Sequence, residues 1–158
     1  KDGVSGIDWG TLLLFGGGLS IGGMVFSTGL SQWIGESLTS ALGGHPSEYL
    51  FLTLFAVTAL LLSELTSNTA VANLMGPIAI ATAVSLGFSP VPVCVVMALC
   101  TSLAFMLPVS TPPNAIVYAS GYIPITKMIK AGVILDIIGV FVVSVPLVYF
   151  LVKVIMGV

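Results

Sequence analysis

Long apolar stretches separated by short polar blocks run along almost the whole chain. A helix needs about 20 consecutive apolar residues to cross the hydrocarbon core of a bilayer. Residues 9–29 and 131–152 satisfy this requirement, so we predict a spanning helix in each. Glycines at positions 16–18 in the first stretch allow close packing against a neighbouring helix.

The pattern changes at residues 30–42, where apolar and polar positions recur with helical spacing. Apolar side chains such as Trp33 and Leu38 fall on one face, whereas Gln32 and Glu36 fall between them. This pattern is typical of an amphipathic helix that lies along a membrane surface. Turn-forming residues follow it, so we predict a surface helix within residues 30–46.

Two apolar runs, residues 49–63 and 74–88, flank a block of hydroxyl and amide side chains. Each run is too short for a comfortable bilayer crossing. Unpaired backbone at membrane depth is tolerated where protein or a water-filled cavity surrounds it. We therefore predict a re-entrant helical hairpin over residues 47–88, with its polar tip near the middle of the membrane.

Residues 91–109 form a further apolar stretch, which ends where three prolines occur within six positions. Proline lacks the backbone N–H that a helix interior requires. We predict one discontinuous spanning helix over residues 89–123. Its unwound centre would lie at residues 108–114, around Thr111-Pro112-Pro113, and a short helix would resume at residue 115.

These elements predict an all-α integral membrane protein, in which a re-entrant hairpin and a proline-broken helix lie between spanning helices. The segments, in chain order, are residues 1–29, 30–46, 47–88, 89–123 and 124–158. Cytoplasmic loops carry an excess of lysine. A cytoplasmic loop around Lys127 and Lys130 places the N-terminus of the chain inside and its C-terminus outside.

Composition supports a membrane location, because 57% of the residues are hydrophobic and 6% are charged. Soluble domains carry about 25% charged residues. The chain has no arginine and a net charge of −2, which argues against nucleic acid as a partner. With a single histidine, and with Cys94 and Cys100 expected as core residues, we predict no enzyme activity and no histidine-based metal site.

The two polar interruptions are the candidate binding site, since interrupted helices mark the sites of membrane transporters. Hydroxyl, amide and backbone oxygens suit a small hard cation such as Na+. The N–H groups of Ser67-Asn68-Thr69, where a helix is expected to begin, attract a carboxylate. Each motif alone has a simpler explanation, a helix cap or a plain kink. Their occurrence on adjoining segments favours a site.

Two acidic residues lie at or near membrane depth. Such residues raise a functional hypothesis by default. Glu64 abuts the predicted tip, where it fits a cation site, a proton site or a structural pair with a neighbour, and we favour the structural role. Asp136 is expected to be satisfied by Lys130 or by a backbone group.

Three sequence motifs resemble those of the divalent anion/sodium symporter family, the INDY-type dicarboxylate transporters. They are SELTSNTA at residues 63–70, AFMLPVSTPPNAIVYASG at residues 104–121, and DWG followed by LLLFGGG at residues 8–10 and 12–18. The resemblance extends over essentially the whole chain, and the second motif is long enough to be specific.

This resemblance implies a homodimeric transporter of two inverted repeats that moves its substrate by an elevator-like shift of a transport domain. Each repeat of the family supplies one Ser-Asn-Thr tip and one Thr-Pro break. Since this chain has one of each, it is expected to be the C-terminal portion. The surface helix would be an arm that joins the scaffold to the moving domain.

The resemblance also assigns roles to individual residues. The substrate carboxylate would be held by Ser67, Asn68 and Thr69, with Thr111 and Pro112 close by. A Na+ site would use Ser63, the backbone of Thr66, Asn68 and the backbone of Ser110. The family pattern has Thr at position 63 and Ala at positions 66 and 110. The backbone ligands survive these differences, and Ser63 keeps a hydroxyl.

The expected function is therefore secondary transport of C4-dicarboxylates such as succinate, malate and fumarate, or of related divalent anions. Na+ is the expected coupling ion, and the expected location is the cell membrane. Two alternatives stay open. The transporter could exchange dicarboxylates without sodium, or the chain could be a structural membrane subunit without a site of its own.

Overall fold

A computed structural model of the chain describes residues 9–156, which form helices and connecting turns. Residues 1–8 and 157–158, and with them Lys1 and Asp8, lie outside the described residues. The helices are α1 Trp9–Ser27, α2 Leu30–Ala41, α3 Glu48–Leu65, α4 Asn68–Ser85, α5 Pro90–Cys100, α6 Pro112–Ala119, α7 Ile125–Ile138, a π-helix at Gly139–Ser144, and α8 Val145–Met156.

The first two helices both pack against α4. Gly29 separates them in a left-handed conformation (φ 75°), which glycine adopts without steric cost. The small side of α2 faces inward, because Ser31 and Gly35 are its buried residues, whereas Trp33 is 64% exposed. The helix predicted at residues 30–42 is therefore present, and its largest apolar side chain points away from the rest of the described chain.

Helices α3 and α4 fold back on one another through the two residues Thr66 and Ser67, which we call the tip. Their far ends meet, since Nε2 of His45 lies 3.0 Å from the carbonyl oxygen of Leu86. The sequence pattern predicted a longer polar tip. In the structure the polar residues after Ser67 already belong to the first turns of α4.

The unwound segment differs most from expectation. Helix α5 ends at Cys100 rather than near residue 109, and residues 101–111 form turns and irregular backbone. We call residues 101–111 the unwound segment. Pro112 and Pro113 are not at its centre, because they begin α6, where proline's missing N–H needs no helical partner. Helix α5 ends early because side chains from other parts of the chain bind the backbone groups of the unwound segment.

The last helical region is continuous from α7 through the π-helix into α8. Pro146 lies two residues beyond the π-helix, in the first turn of α8, and cannot donate to the carbonyl that an α-helix would offer it. Wider winding just before a proline accommodates its ring and re-pairs the neighbouring carbonyl groups. Among residues 9–156, Ile125–Val152 and Glu48–Leu65 are long and apolar enough to cross a membrane.

Helix α3 lies at the centre of the hydrophobic core. Its buried residues pack with those of α4, α5, the π-helix and α8. The residues of this shared core include Phe51, Leu52, Ala56, Ala79, Val93, Val96, Val140 and Val145. Cys100 is part of this core, as predicted. Cys94 is exposed, which corrects the prediction that it is a core residue; both cysteines are free thiols.

Candidate functional site

The tip leaves its polar groups available for a ligand. Ser67 is the N-cap of α4, yet its side chain makes no capping hydrogen bond. Helix capping alone therefore does not account for this serine. The first N–H groups of a helix have no intrahelical partner, and they carry the positive end of the helix dipole. The start of α4 can therefore bind an anion.

Asn68 buries an oxygen that has no hydrogen-bond partner. Its Oδ1 atom is shielded from solvent and accepts no hydrogen bond in the structure. An orphaned buried acceptor costs about 1–3 kcal/mol. An amide oxygen is also a good ligand for a hard cation. Asn68 therefore fits the donor set predicted for Na+.

Across from the tip, Asn114 closes the unwound segment upon itself. Its Nδ2 group lies 3.1 Å from the carbonyl oxygens of Ala104 and Leu107 and 3.1 Å from Oγ of Ser110. Thr111 caps α6, with its hydroxyl accepting from the Asn114 N–H at 3.4 Å. These contacts fix the backbone on which Ser110 and Thr111 stand.

The tip and the end of the unwound segment line one cavity of about 460 Å³. This volume is in the range of small-molecule binding sites. The lining residues carry no charge; they are Leu65, Thr66, Ser67, Asn68, Thr69, Val109, Ser110, Thr111 and Pro112. We call this cavity the site cavity.

The site cavity brings together every predicted substrate residue: Ser67, Asn68, Thr69, Thr111 and Pro112. Three of the four predicted Na+ ligands line it: Asn68, which is also a predicted substrate residue, Thr66 and Ser110. Ser63 does not line it. That residue is fully buried in α3, and its hydroxyl donates to the carbonyl of Leu60 at 2.8 Å.

Two buried acids hold the backbone of the unwound segment. The Glu64 carboxylate accepts from the N–H groups of Met106 at 2.8 Å and Leu107 at 2.9 Å. Asp136 accepts from the N–H of Phe105 at 3.4 Å. The structural role favoured for Glu64 agrees with these bonds, and a backbone group satisfies one oxygen of Asp136.

The sequence marked Glu64 and Asp136 as unusual but could not identify their partners. Glu64 is 42 residues from Met106, and Asp136 is 31 residues from Phe105. Asn114 lies in the motif at residues 104–121, and its residue type alone does not indicate that it binds the unwound segment. Because buried polar groups are hydrogen-bonded, the sequence indicates that Glu64 and Asp136 have partners. It does not indicate which groups these partners are.

The family whose description reads "Sodium:sulfate symporter transmembrane region" matches residues 5–156 of the chain. The chain belongs to this family. The resemblance to divalent anion/sodium symporters is thereby confirmed, and the chain is part of an integral membrane transporter family. The predicted coupling ion, Na+, is also the ion in the family's description.

Curated relatives match nearly the whole chain. A protein of Haemophilus influenzae named an uncharacterized transporter is 41% identical over 89% of the chain. The sodium-dependent dicarboxylate transporters SdcS of Staphylococcus saprophyticus and Staphylococcus aureus are 39% and 36% identical over 96% of it. The chain spans about 30% of the length of the relatives it matches.

Proposed function

We propose that the chain is the C-terminal portion of a Na+-coupled secondary transporter that moves C4-dicarboxylates or related divalent anions across the cell membrane. The observation that carries the proposal is the uncharged site cavity, in which the start of α4 faces Ser110 and Thr111. The matching relatives that are named sodium-dependent dicarboxylate transporters support the same substrate class and the same ion.

One carboxylate of the substrate binds at the start of α4. The N–H groups there, together with the side chains of Ser67, Asn68 and Thr69, supply hydrogen-bond donors to an anion. The Thr111 hydroxyl donates from the opposite wall, where Pro112 fills the space beside it. The remainder of the transporter supplies the contacts for the second carboxylate.

Na+ binds beside the substrate, to Oδ1 of Asn68 and to backbone oxygens of Thr66 and Ser110. The hydroxyl of Ser63 is the fourth proposed ligand; it lies in α3 behind the cavity wall, and because it donates its proton to the Leu60 carbonyl, its lone pairs are free to face the ion. The site cavity is lined by uncharged residues, so no lysine or arginine there balances the charge of the anion. The bound cation does so instead, which couples the two binding events.

Within the membrane, α3 and α4 form a re-entrant hairpin that opens to the outside, and α5 to α6 is one interrupted crossing. The N-terminus of the chain is cytoplasmic. Helix α2 is the arm that joins the scaffold to the moving domain of an elevator. The first inverted repeat and a second protomer complete the transporter, which is a homodimer embedded in lipid.

Uptake by the full-length transporter in proteoliposomes tests this function. Labelled succinate is supplied outside under an inward Na+ gradient, or under an equal K+ gradient, with and without succinate inside. We expect uptake that requires Na+ and that proceeds without internal succinate. Unlabelled malate, fumarate, citrate and sulfate, added as competitors, define the range of anions.

Two other outcomes would replace the proposal. Uptake that ignores Na+ but requires internal succinate would identify an exchanger, whose tip binds the anion alone. Ser67→Ala and Asn68→Ala variants that bind succinate as the parent does would leave the chain a structural subunit without a site of its own. Loss of succinate binding in both variants is the result that we expect.

A further inference from the structure

Three consecutive N–H groups of the unwound segment are held by carboxylates from two different helices. Met106 and Leu107 donate to the two oxygens of Glu64, at 2.8 and 2.9 Å, and Phe105 donates to Asp136 at 3.4 Å. Glu64 is 3% exposed and Asp136 is 2% exposed. Glu64 stands two residues before the tip, and Asp136 stands on α7.

The close approach of α7 holds the same backbone from the other side. A Cβ atom built on Gly132 would lie 2.5 Å from Cα of Met106 and 2.6 Å from the carbonyl carbon of Phe105. These are backbone atoms, so α7 can come this near only because residue 132 has no side chain. The unwound segment is therefore held between the end of α3 and one face of α7.

A carboxyl side chain carries two oxygen acceptors on one rigid group, so Glu64 binds two consecutive N–H groups at once. Burying such a polar group is costly unless its hydrogen bonds are made. Glu64 and Asp136 together make three bonds to consecutive residues, and these bonds hold the backbone of the unwound segment in one position relative to the tip.

We propose that Glu64 and Asp136 are positioning residues for the site, and we call the pair the carboxylate clamp. By fixing residues 105–107 to the end of α3, the clamp sets the separation between the tip and Ser110. Ser110 and Thr66 line the site cavity from opposite walls. The inference rests on the proposed function insofar as Na+ is the ligand that spans those walls.

The two acids differ in a way that gives the clamp a sharp test. Both oxygens of Glu64 accept hydrogen bonds, whereas Oδ2 of Asp136 is buried and has no partner. The Asp136 carboxyl lies close to that of Glu64. In Glu64→Gln, the amide NH₂ therefore faces a backbone N–H; both groups are donors, so one hydrogen bond is lost. Asp136→Asn keeps the acceptor for Phe105 and can point its NH₂ toward Glu64.

The first measurement is the Na+ concentration that gives half-maximal succinate binding in the purified full-length transporter. We expect Glu64→Gln to raise it by about tenfold, the effect of about 1.4 kcal/mol, with saturable binding retained. We expect Asp136→Asn to leave it within about twofold, and Asp136→Ala to raise it. Restoration by asparagine but not by alanine identifies the hydrogen bond as the effective contact.

The second measurement does not depend on transport. Leu65 and Val109 are 67% and 72% exposed and line opposite walls of the site cavity. Spin labels on Leu65→Cys and Val109→Cys, with the native cysteines replaced, report the separation of these walls by dipolar broadening. We expect Glu64→Gln to weaken the broadening and Asp136→Asn to preserve it.

Each result decides a different point. Unchanged broadening and unchanged Na+ dependence in Glu64→Gln would overturn the clamp. Equal losses in Glu64→Gln and Asp136→Asn would also overturn it, because negative charge rather than hydrogen bonding would then be required. If the parent binds succinate without Na+, the proposed coupling fails, but the spin-label comparison still tests the clamp.

Discussion

Asn68 occupies the first position of α4 and buries an amide oxygen that accepts no hydrogen bond. Its neighbour Ser67 makes no capping bond, so neither side chain is explained by helix termination alone. Folding tolerates such groups where a ligand later meets them. In this chain the ligands would be a cation for the Asn68 oxygen and an anion for the N–H groups beside it.

Replacing Asn68 by alanine is expected to weaken succinate binding and Na+ dependence together, each by about tenfold or more, because one charge-assisted contact contributes about 1.5–3 kcal/mol. Binding titrations of the full-length transporter at several Na+ concentrations measure both effects. Thermal stability without Na+ should not fall, since the substitution removes an unpartnered oxygen.

Asn73→Ala is the matched control for this substitution. Asn73 lies in the same helix, and its side chain donates to the Thr69 carbonyl at 2.8 Å. It does not line the site cavity. Its loss should therefore leave both binding constants near those of the parent. If Asn68→Ala weakened the binding of either succinate or Na+ and left that of the other unchanged, the two roles would belong to different residues.

Residue chemistry made much of the site predictable. Ser67, Asn68, Thr69 and Thr111 were marked because hydroxyl and amide groups interrupt apolar helices, and the structure places them on one cavity. The contacts of Glu64 were not predictable in the same way. Its partners are backbone N–H groups 42 and 43 residues along the chain, and every residue type except proline offers such a group.

At the scale of elements, the end of α5 is a place where the sequence pattern predicts the wrong helix boundary. Residues 101–107 are mostly apolar and contain no proline, so periodicity extends the helix through them. The structure unwinds them because carboxylates from α3 and α7 accept their N–H groups and Asn114 donates to their carbonyl groups. Tertiary partners override local propensity here.

Packing of α7 on the unwound segment predicts a strong effect of Gly132→Ala. The added methyl group would meet backbone atoms of Met106 and Phe105 at 2.5–2.6 Å, and backbone cannot move aside cheaply. We expect a loss of about 1–3 kcal/mol, as for other overpacked interiors. Thermal unfolding of the detergent-solubilised transporter, followed by tryptophan fluorescence, measures this loss.

Gly139→Ala provides the control on the same helical region. Its new methyl group would meet Cδ1 of Leu103 at 2.7 Å, which is the end of a flexible side chain. Leu103 can change rotamer, so the destabilisation should be smaller than at Gly132. An equal or larger effect at Gly139 would mean that the unwound segment is free to shift away from α7.

At the scale of the whole molecule, the proposed orientation can be tested at two exposed positions. Tyr122, 91% exposed, lies between α6 and α7 near Lys127. Leu42, 43% exposed, directly follows α2 near the open end of the α3–α4 pair. In a background without native cysteines, Leu42→Cys should react with a membrane-impermeant maleimide on intact cells. Tyr122→Cys should react only after permeabilisation.

The reverse pattern would invert the chain in the membrane while keeping its fold. Labelling of both positions from one side would contradict the crossing proposed for α5 to α6. The orientation is a prediction from the positions of four lysines. The helices themselves follow from longer patterns, apolar in α1 and the last helical region and amphipathic in α2, and all three lie near their predicted positions.

The two-residue connection between α3 and α4 implies strict sensitivity to insertions and deletions. Both residues have extended backbone and join two helices that are packed in place, α4 being held by α1 and α2. An added residue must therefore bulge out at Thr66–Ser67, and a removed residue must unwind the first turn of α4, which contains Asn68. Substitutions at the tip can tune the site, but a change in its length would remove Asn68 from the cavity.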